Sequence, residues 1–339
     1  MVNLIKQKPR PLAKNKREIT MKKVAIIGGG AIAKRLQARL EVEGEKVCFS
    51  LRRNHAGLSF GKLLAKHKPR AVFVAISTLD QGEAERDYLI ASVETGIPAI
   101  TCAKGALSHH AKTLKPYLEK IGFSAAVGGG TRMLHYLKGR HPNNQSMQIH
   151  VVLNGTLNFV FDEMHRGGRT LGEACGEAAK LGYAEPGATD PLSLINGELT
   201  DVARKTCVIF NTALSHREFL TPNMLGSFRQ TSQGIRKLSE KGGDCRLVVS
   251  FSNRRFSTSP VFFGKGFKAK TEGWNISGGF RQVGNLSEFT SWLPGGVGNA
   301  IHIIEGELGK GGKYTLSGPG AGAEPTTTAM LQDYHELCP

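Results

Sequence analysis

Residues 182–205, GYAEPGATDPLSLINGELTDVARK, bring Glu185, Asp190, Asp201 and Lys205 into a short span. Asp201 and Lys205 are four apart, so a helix puts them on one face. That spacing also describes an ordinary solvated ion pair of a helix surface. The residues after Lys205, TCVIF, are nearly all apolar, which argues for a helix buried on several sides. A buried lysine beside carboxylates can give or take a proton, because desolvation lowers its pKa and neighbouring anions raise it. Pro186, Gly187 and Pro191 mark a loop and turns before the helix, which is expected from about Glu198.

Such a site needs a scaffold, and the first half of the chain supplies one. KKVAIIG, residues 22–28, reads as a buried strand; Gly28-Gly29-Gly30-Ala31-Ile32-Ala33 follows, then a helix with Ile32, Leu36 and Leu40 on one face. This strand, glycine turn and helix suits a dinucleotide pyrophosphate: Gly28 for the turn, Gly30 for close approach, Ala33 for packing, and the helix start for the phosphates. An ordinary turn between strand and helix is the plainer alternative. A second strand, residues 46–51, ends with Ser50 followed by Arg52 and Arg53, where an acid would favour a free ribose hydroxyl. Hydroxyl and guanidinium donors favour a 2′-phosphate, so NADP is expected over NAD unless the arginines are only exposed loop charges. Further strands at 71–76, 97–101 and 123–127 alternate with helices, which predicts a doubly wound α/β sheet. Ser77 and Thr78 close one of these strands, and Lys104 stands at the carboxyl end of another, where open α/β sheets bind ligands.

The chain has 339 residues, enough for two domains. The second half reads as α+β, with strands at 147–153, 246–251, 260–263 and 300–304 and helices at 158–165, 170–181 and 198–214. The expected organisation is a basic, disordered tail at 1–20, a nucleotide-binding domain at 21–130, a catalytic and dimerisation domain at 131–315, and a return segment at 316–339 ending in a helix over 328–334. The tail lacks an apolar core and is no secretory signal, and Met21 could serve as the start. No apolar run reaches the ~20 residues of a membrane helix. The six cysteines are scattered without a CxxC pair, as expected of free thiols in a reducing, cytoplasmic setting. The net charge of +17 suits an anionic ligand; no aromatic and basic interleaving supports nucleic acid.

Several segments in order, TCAKGAL around Lys104, AVGGGT at 126–131, NGTLNF at 154–159, GYAEP and DVARK, VGNAI at 297–301 and GPGAGAEPTTTA near the end, resemble the homoserine dehydrogenase family over most of residues 22–335. The resemblance implies a Rossmann-type domain with a catalytic domain that also makes a homodimer, without an ACT or kinase domain. It implies interconversion of L-homoserine and L-aspartate 4-semialdehyde with NADP or NAD, a step toward threonine, methionine and isoleucine. Lys205 and Lys104 then flank the reacting carbon, with Lys205 the proton donor or acceptor. Glu185, Asp201, Thr156, Gly155, Tyr183 and, more loosely, Asp190 bind substrate. Gly28, Gly30, Ala31, Ile32, Arg52, Arg53, Ser77, Thr78, Lys104 and Gly320 bind the cofactor. Backbone carbonyls of Val127, Gly129 and Thr131 could hold Na⁺ or K⁺, although Ser124 stands where the family often has a glutamate. Ala103 replaces the usual Asn, and the loop from Asp190 to Gly197 is about two residues longer than the family's pattern. Two other readings compete: an acylating semialdehyde dehydrogenase using Cys102 with His109 or His110, and a non-catalytic NADP-binding sensor or scaffold.

Overall fold

The computed structural model describes residues 22–52, 58–140, 146–184, 188, 190–215, 217–241, 245–253, 262–271, 273–283, 292–306, 309–320 and 322–339. The basic stretch 1–20, Arg53 and Glu185 lie outside them.

Strands β1 (Lys23–Ile27), β2 (Lys46–Leu51), β3 (Ala71–Val74), β4 (Ala99–Thr101) and β5 (Ile121–Gly122) form a parallel sheet in the order β2-β1-β3-β4-β5. β1 and β3 are apolar without alternation because both faces of the sheet are covered. Val24 and Ile26 of β1 face one way, against Ala33, Leu36 and Leu40 of helix α1 (Ala31–Val42). Ala25 and Ile27 face the other way, toward Phe60 and Leu64 of α2 (Leu58–His67) and Tyr88, Leu89 and Val93 of α3 (Glu83–Glu94). Short helices α4 (Gly105–His109), α5 (Ala111–Leu114) and α6 (Met133–Lys138) follow.

A second sheet combines β6 (Met147–Val152), β7 (Cys245–Asn253), β8 (Phe263–Lys270), β9 (Asn275–Gln282), β10 (Gly298–Glu305) and β11 (Gly312–Pro319). Its order is β11-β10-β6-β7-β9-β8, with every pair antiparallel. Ile149, Val151, Val249, Phe251, Ile301 and Ile303 join one core with residues of α7 (Gly155–Arg166), α8 (Leu171–Lys180) and α9 (Pro191–Ile209). Helix α10 (Ser232–Lys241) packs by β8. The last helix, α11 (Ala323–Leu337), returns to the first sheet, where Ala329, Met330 and Tyr334 cover α1 and β3. Glu324 at its start pairs with Arg35 and, at 2.6 Å, with Arg39; the Tyr334 hydroxyl donates to Glu45 at 2.7 Å. Among the described residues no helix is long and apolar enough to cross a membrane.

Four expectations need correction. The strand expected over 123–127 ends at Gly122, because the Asp333 carboxylate of α11 accepts the Ser124 N–H at 2.7 Å and a tight 3₁₀ turn follows. The loop expected over 190–197 is helix. Asp190 caps α9 through the N–H groups of Leu192 (2.9 Å) and Ser193 (3.0 Å), and Pro191 at the first position loses no hydrogen bond. Strands β9 and β11 are themselves glycine-rich; in β9, glycine is what fits under the rings of Phe267 and Phe262, which lie 2.2 and 2.7 Å from where a Cβ on Gly278 and Gly279 would sit. The return to the first sheet falls after Pro319 rather than at 316, and its helix begins at Ala323 rather than 328.

Gly28 is held by the fold itself. Its φ is +141° and a Cβ there would lie 2.3 Å from the Ala75 carbonyl oxygen, just past the neighbouring strand β3. Gly28→Ala is expected to lower unfolding free energy by about 1–3 kcal/mol, the usual cost of a strained backbone, and more if β1 and β3 cannot separate. Gly29→Ala, where a Cβ meets no protein atom within 4 Å, is expected to stay within about 0.5 kcal/mol. Urea denaturation of the two variants checks the contrast.

Candidate active site

The carboxyl ends of the parallel strands gather the expected nucleotide-binding residues. Gly28 follows β1, and Gly30 begins α1 without a side-chain cap; no acidic residue occupies the first turn of that helix. The N–H groups that open α1, from Ala31 and Ile32 onward, therefore keep the positive end of the helix uncompensated by side chains. Arg52 lies exposed just past β2, and Ser77 and Thr78 lie just past β3. Gly320 is buried just past β11, in the crossing toward α11.

Beyond β4 the chain turns through Cys102 and Ala103 into Lys104, which precedes the first residue of α4. α4 packs on α9, and this contact brings Lys104 to the second half of the chain. Lys104 Nζ lies 3.1 Å from Asp201 Oδ1. One turn along α9, Lys205 Nζ lies 2.7 Å from Asp201 Oδ2 and donates to the Leu153 carbonyl, just past β6, at 2.9 Å. Each oxygen of a single carboxylate thus faces a different ammonium. Lys205 is 9% exposed, so the apolar run after it does bury the helix at this point.

Asn154 completes the cluster. Its side-chain carbonyl caps α7 by accepting the Leu157 N–H at 2.8 Å, which fixes the amide's orientation. The amide nitrogen then donates to Glu198 Oε2 at 2.6 Å and lies 3.3 Å from Asp201 Oδ2. Burial alone would raise the Asp201 carboxyl, but Lys104 and Lys205 hold it well below the usual carboxylate range. The Asp201 charge in turn raises Lys104, against the opposing effect of burial.

Lys104, Asp201 and Lys205 therefore meet in space. Gly155 and Thr156 open α7 directly after Asn154, and the Thr156 hydroxyl donates to the Tyr183 carbonyl at 2.7 Å. The Tyr183 ring packs edge-on against Phe159, with centroids 5.1 Å apart. Asp190 does not join the cluster: it is exposed, and its hydrogen bonds to Ser193 and Leu192 hold its carboxyl below its ordinary value. Val127, Gly129 and Thr131 lie in a buried turn whose Thr131 hydroxyl donates to the Pro319 carbonyl at 3.3 Å. Sequence reasoning missed Glu198 and gave Asn154 no role. The spacing of Glu198, three before Asp201 on one helix, could have flagged it; Asn154 is a residue type that caps helices.

A family model for homoserine dehydrogenase matches residues 133–334. The homoserine dehydrogenase of Neisseria gonorrhoeae is 26% identical over 257 residues, covering 74% of this chain and 53% of that protein. The chain spans little more than half the length of the curated relatives first matched. The structure of a homoserine dehydrogenase from Thiobacillus denitrificans superposes with a TM-score of 0.63 at 20% identity, over 94% of this chain and 73% of that one. A hyperthermophilic archaeal homoserine dehydrogenase mutant in complex with NADPH gives a TM-score of 0.60 at 19% identity, over 94% and 97%. With more than half its residues matched by the family model, the chain belongs to the homoserine dehydrogenase family.

Proposed function

We propose that this protein is a homoserine dehydrogenase, interconverting L-homoserine and L-aspartate 4-semialdehyde with NADP, NAD being a poorer alternative. The observation that carries the reading is the Asp201 carboxylate shared by Lys104 and Lys205, at 3.1 and 2.7 Å, beside the carboxyl end of the parallel sheet. When bound, the nicotinamide supplies or accepts the hydride. The residues present fit such a cofactor. A side chain at Gly30 would meet no protein atom within 4 Å, so protein packing does not account for that glycine, whereas pyrophosphate approach does. Gly28, Gly30, Ala31 and Ile32 would hold the pyrophosphate, Arg52 and Arg53 the 2′-phosphate, and Ser77, Thr78 and Gly320 would line the remainder.

Glu185 and Asp201 would take the substrate's ammonium, with Glu198 close by. The N–H groups of Gly155 and Thr156 at the start of α7 would take its carboxylate, and Tyr183 would border the pocket. Lys205 gives a proton to the carbonyl oxygen in reduction and takes the hydroxyl proton in oxidation, while Lys104 steadies the same oxygen. Oxidation draws on the uncharged amine and reduction on the ammonium. Among the described residues no three His, Cys, Asp or Glu side chains cluster to hold a metal, so a monovalent cation would rest on the carbonyls of Val127, Gly129 and Thr131. The family resemblance supports a homodimer, and six free thiols fit a cytoplasmic protein. The Cys102 alternative loses support because burial pushes its thiol up to about 12, leaving little thiolate near neutral pH. The scaffold alternative rests on Ala103 and Ser124 alone.

Homoserine-dependent reduction of NADP, measured with and without K⁺, tests the reading. Lys205→Ala is expected to lower turnover by about 10²–10⁴-fold while NADPH binding is kept; a parent protein that binds NADPH without turnover would favour the scaffold. In Asp201→Asn, Lys104 loses the charge that chiefly raises it. The alkaline fall in turnover, where Lys104 loses the proton with which it steadies the oxygen, should then move to lower pH, with turnover about tenfold or more below the parent; a fall unmoved in position would show that Lys104 is not the group titrating there. Replacing Arg52 and Arg53 together by Ala should weaken NADPH more than NADH in a fluorescence titration, and equal losses would show that the pair does not read the 2′-phosphate.

A further inference from the structure

Helix α3 places a second carboxylate beneath the turn that carries Lys104. Glu85 is 1% exposed. Its Oε2 accepts the Ala106 N–H at 3.0 Å, and its Oε1 lies 3.4 Å from Thr101 Oγ1. The same Thr101 oxygen accepts the Ala103 N–H at 3.0 Å and lies 3.1 Å from the Val74 carbonyl. A hydroxyl has one hydrogen to give. With that hydrogen on Val74, the shorter of its two acceptor contacts, Thr101 turns only a lone pair toward Glu85. The contact between them is then a hydrogen bond only while Glu85 carries a proton. Burial acts in the same direction: removal from water pushes the Glu85 carboxyl up to about 7, against the downward pull of the Ala106 N–H and the Lys104 charge.

The protonated acid thereby joins both ends of the turn, with its hydroxyl on Thr101 of β4 and its other oxygen on Ala106 of α4. Lys104 and Cys102 are the titratable groups that act on it from that turn, and the Cys102 thiol stays neutral. The Gly105 N–H of α4 adds a further polar contact. An ionised Glu85 sets two acceptor oxygens against each other at the Thr101 contact, with the Lys104 ammonium as its neighbouring cation.

We propose that Glu85 is a positioning residue that acts through Lys104: with its proton it braces the turn from Thr101 to Ala106, and without it, it competes with Asp201 for the Lys104 ammonium. The effect on turnover rests on the dehydrogenase reading, so the decisive measurement does not use turnover. Acetylation of Lys104, read by peptide mass spectrometry relative to exposed Lys62, is followed from about pH 5.5 to 8.5 in the parent, Glu85→Gln and Glu85→Ala. In the parent the ratio should fall about threefold or more through neutrality, as the anion forms and holds the ammonium; in Glu85→Gln, which keeps an N–H toward Thr101 and carries no charge, it should not fall. A ratio that falls equally in Glu85→Gln, or does not fall in the parent, overturns the proposal.

Stability gives a second readout with a definite sign. The folded carboxyl sits above its ordinary value of 4.5, so the folded chain holds an extra proton between about 4.5 and 7 and loses stability as pH rises through that window. The Tm of Glu85→Gln relative to the parent should therefore rise across the window, and a constant difference counts against the proposal. In turnover, Glu85→Gln should stay within about threefold of the parent below neutrality, while Glu85→Ala should lose about tenfold or more in kcat with little change in KM. If the parent turns over no homoserine at all, the dehydrogenase reading falls and the labelling still decides the role of Glu85.

Discussion

One carboxylate divided between two ammonium groups is the constraint on which this structure depends. Asp201 is three-quarters withdrawn from water, and each of its oxygens meets a lysine from a different part of the chain. A carboxylate so placed is tolerable only when paired and hydrogen-bonded. The pairing goes with the docking of the turn after β4 on α9, beside an apolar core that both halves of the chain share. Lys205 adds the Leu153 carbonyl and Asn154 adds its amide, so the end of β6 and the start of α7 converge on the same point.

The charges in the cluster are nearly balanced, and that balance is what makes it chemically useful. Lys104 and Lys205 supply positive charge, Asp201 and Glu198 negative charge, and the uncapped start of α1 lies at the same edge of the parallel sheet as Lys104. An amino acid brings both an ammonium and a carboxylate, and a phosphorylated dinucleotide brings negative charge on its phosphates. The site offers acids and lysines together where an amino acid would bind, and helix N–H groups with arginine where phosphates would bind. The long helix α9 continues through a π-type turn at Phe210–Leu214, so the lysine sits one turn before a local departure from regular helix. Such departures are frequent at functional sites.

The return of the chain through α11 explains why the first sheet is stable with only part of its cover supplied by its own crossover helices. Ala329, Met330 and Tyr334 close the face that α1 leaves bare, and Asp333 reaches under the glycine turn to hold the Ser124 amide. The same bond ended the strand expected at 123–127. A side chain more than two hundred residues away took a backbone N–H that local pattern assigned to a ladder.

Period and residue type alone determined much of this protein. Unbroken apolar runs specified the parallel sheet, the glycine turn specified the start of α1, and the spacing of Asp201 and Lys205 specified that they share a helix face. Those features are local, so a window of a few residues contains their cause. The sequence could not show which oxygen of Asp201 would meet Lys104, that Asp190 would cap a helix instead of joining the site, that Glu198 would take the Asn154 amide, or that Glu85 would lie beneath the turn that carries Lys104. Nothing near Glu85 separates it from the half-buried Glu83 and Arg86 on α3; only the packing of α3 beneath α4 removes it from water. Contacts between distant segments depend on how whole elements pack, and burial, which decides the charge state of every group in the cluster, exists only once they have packed.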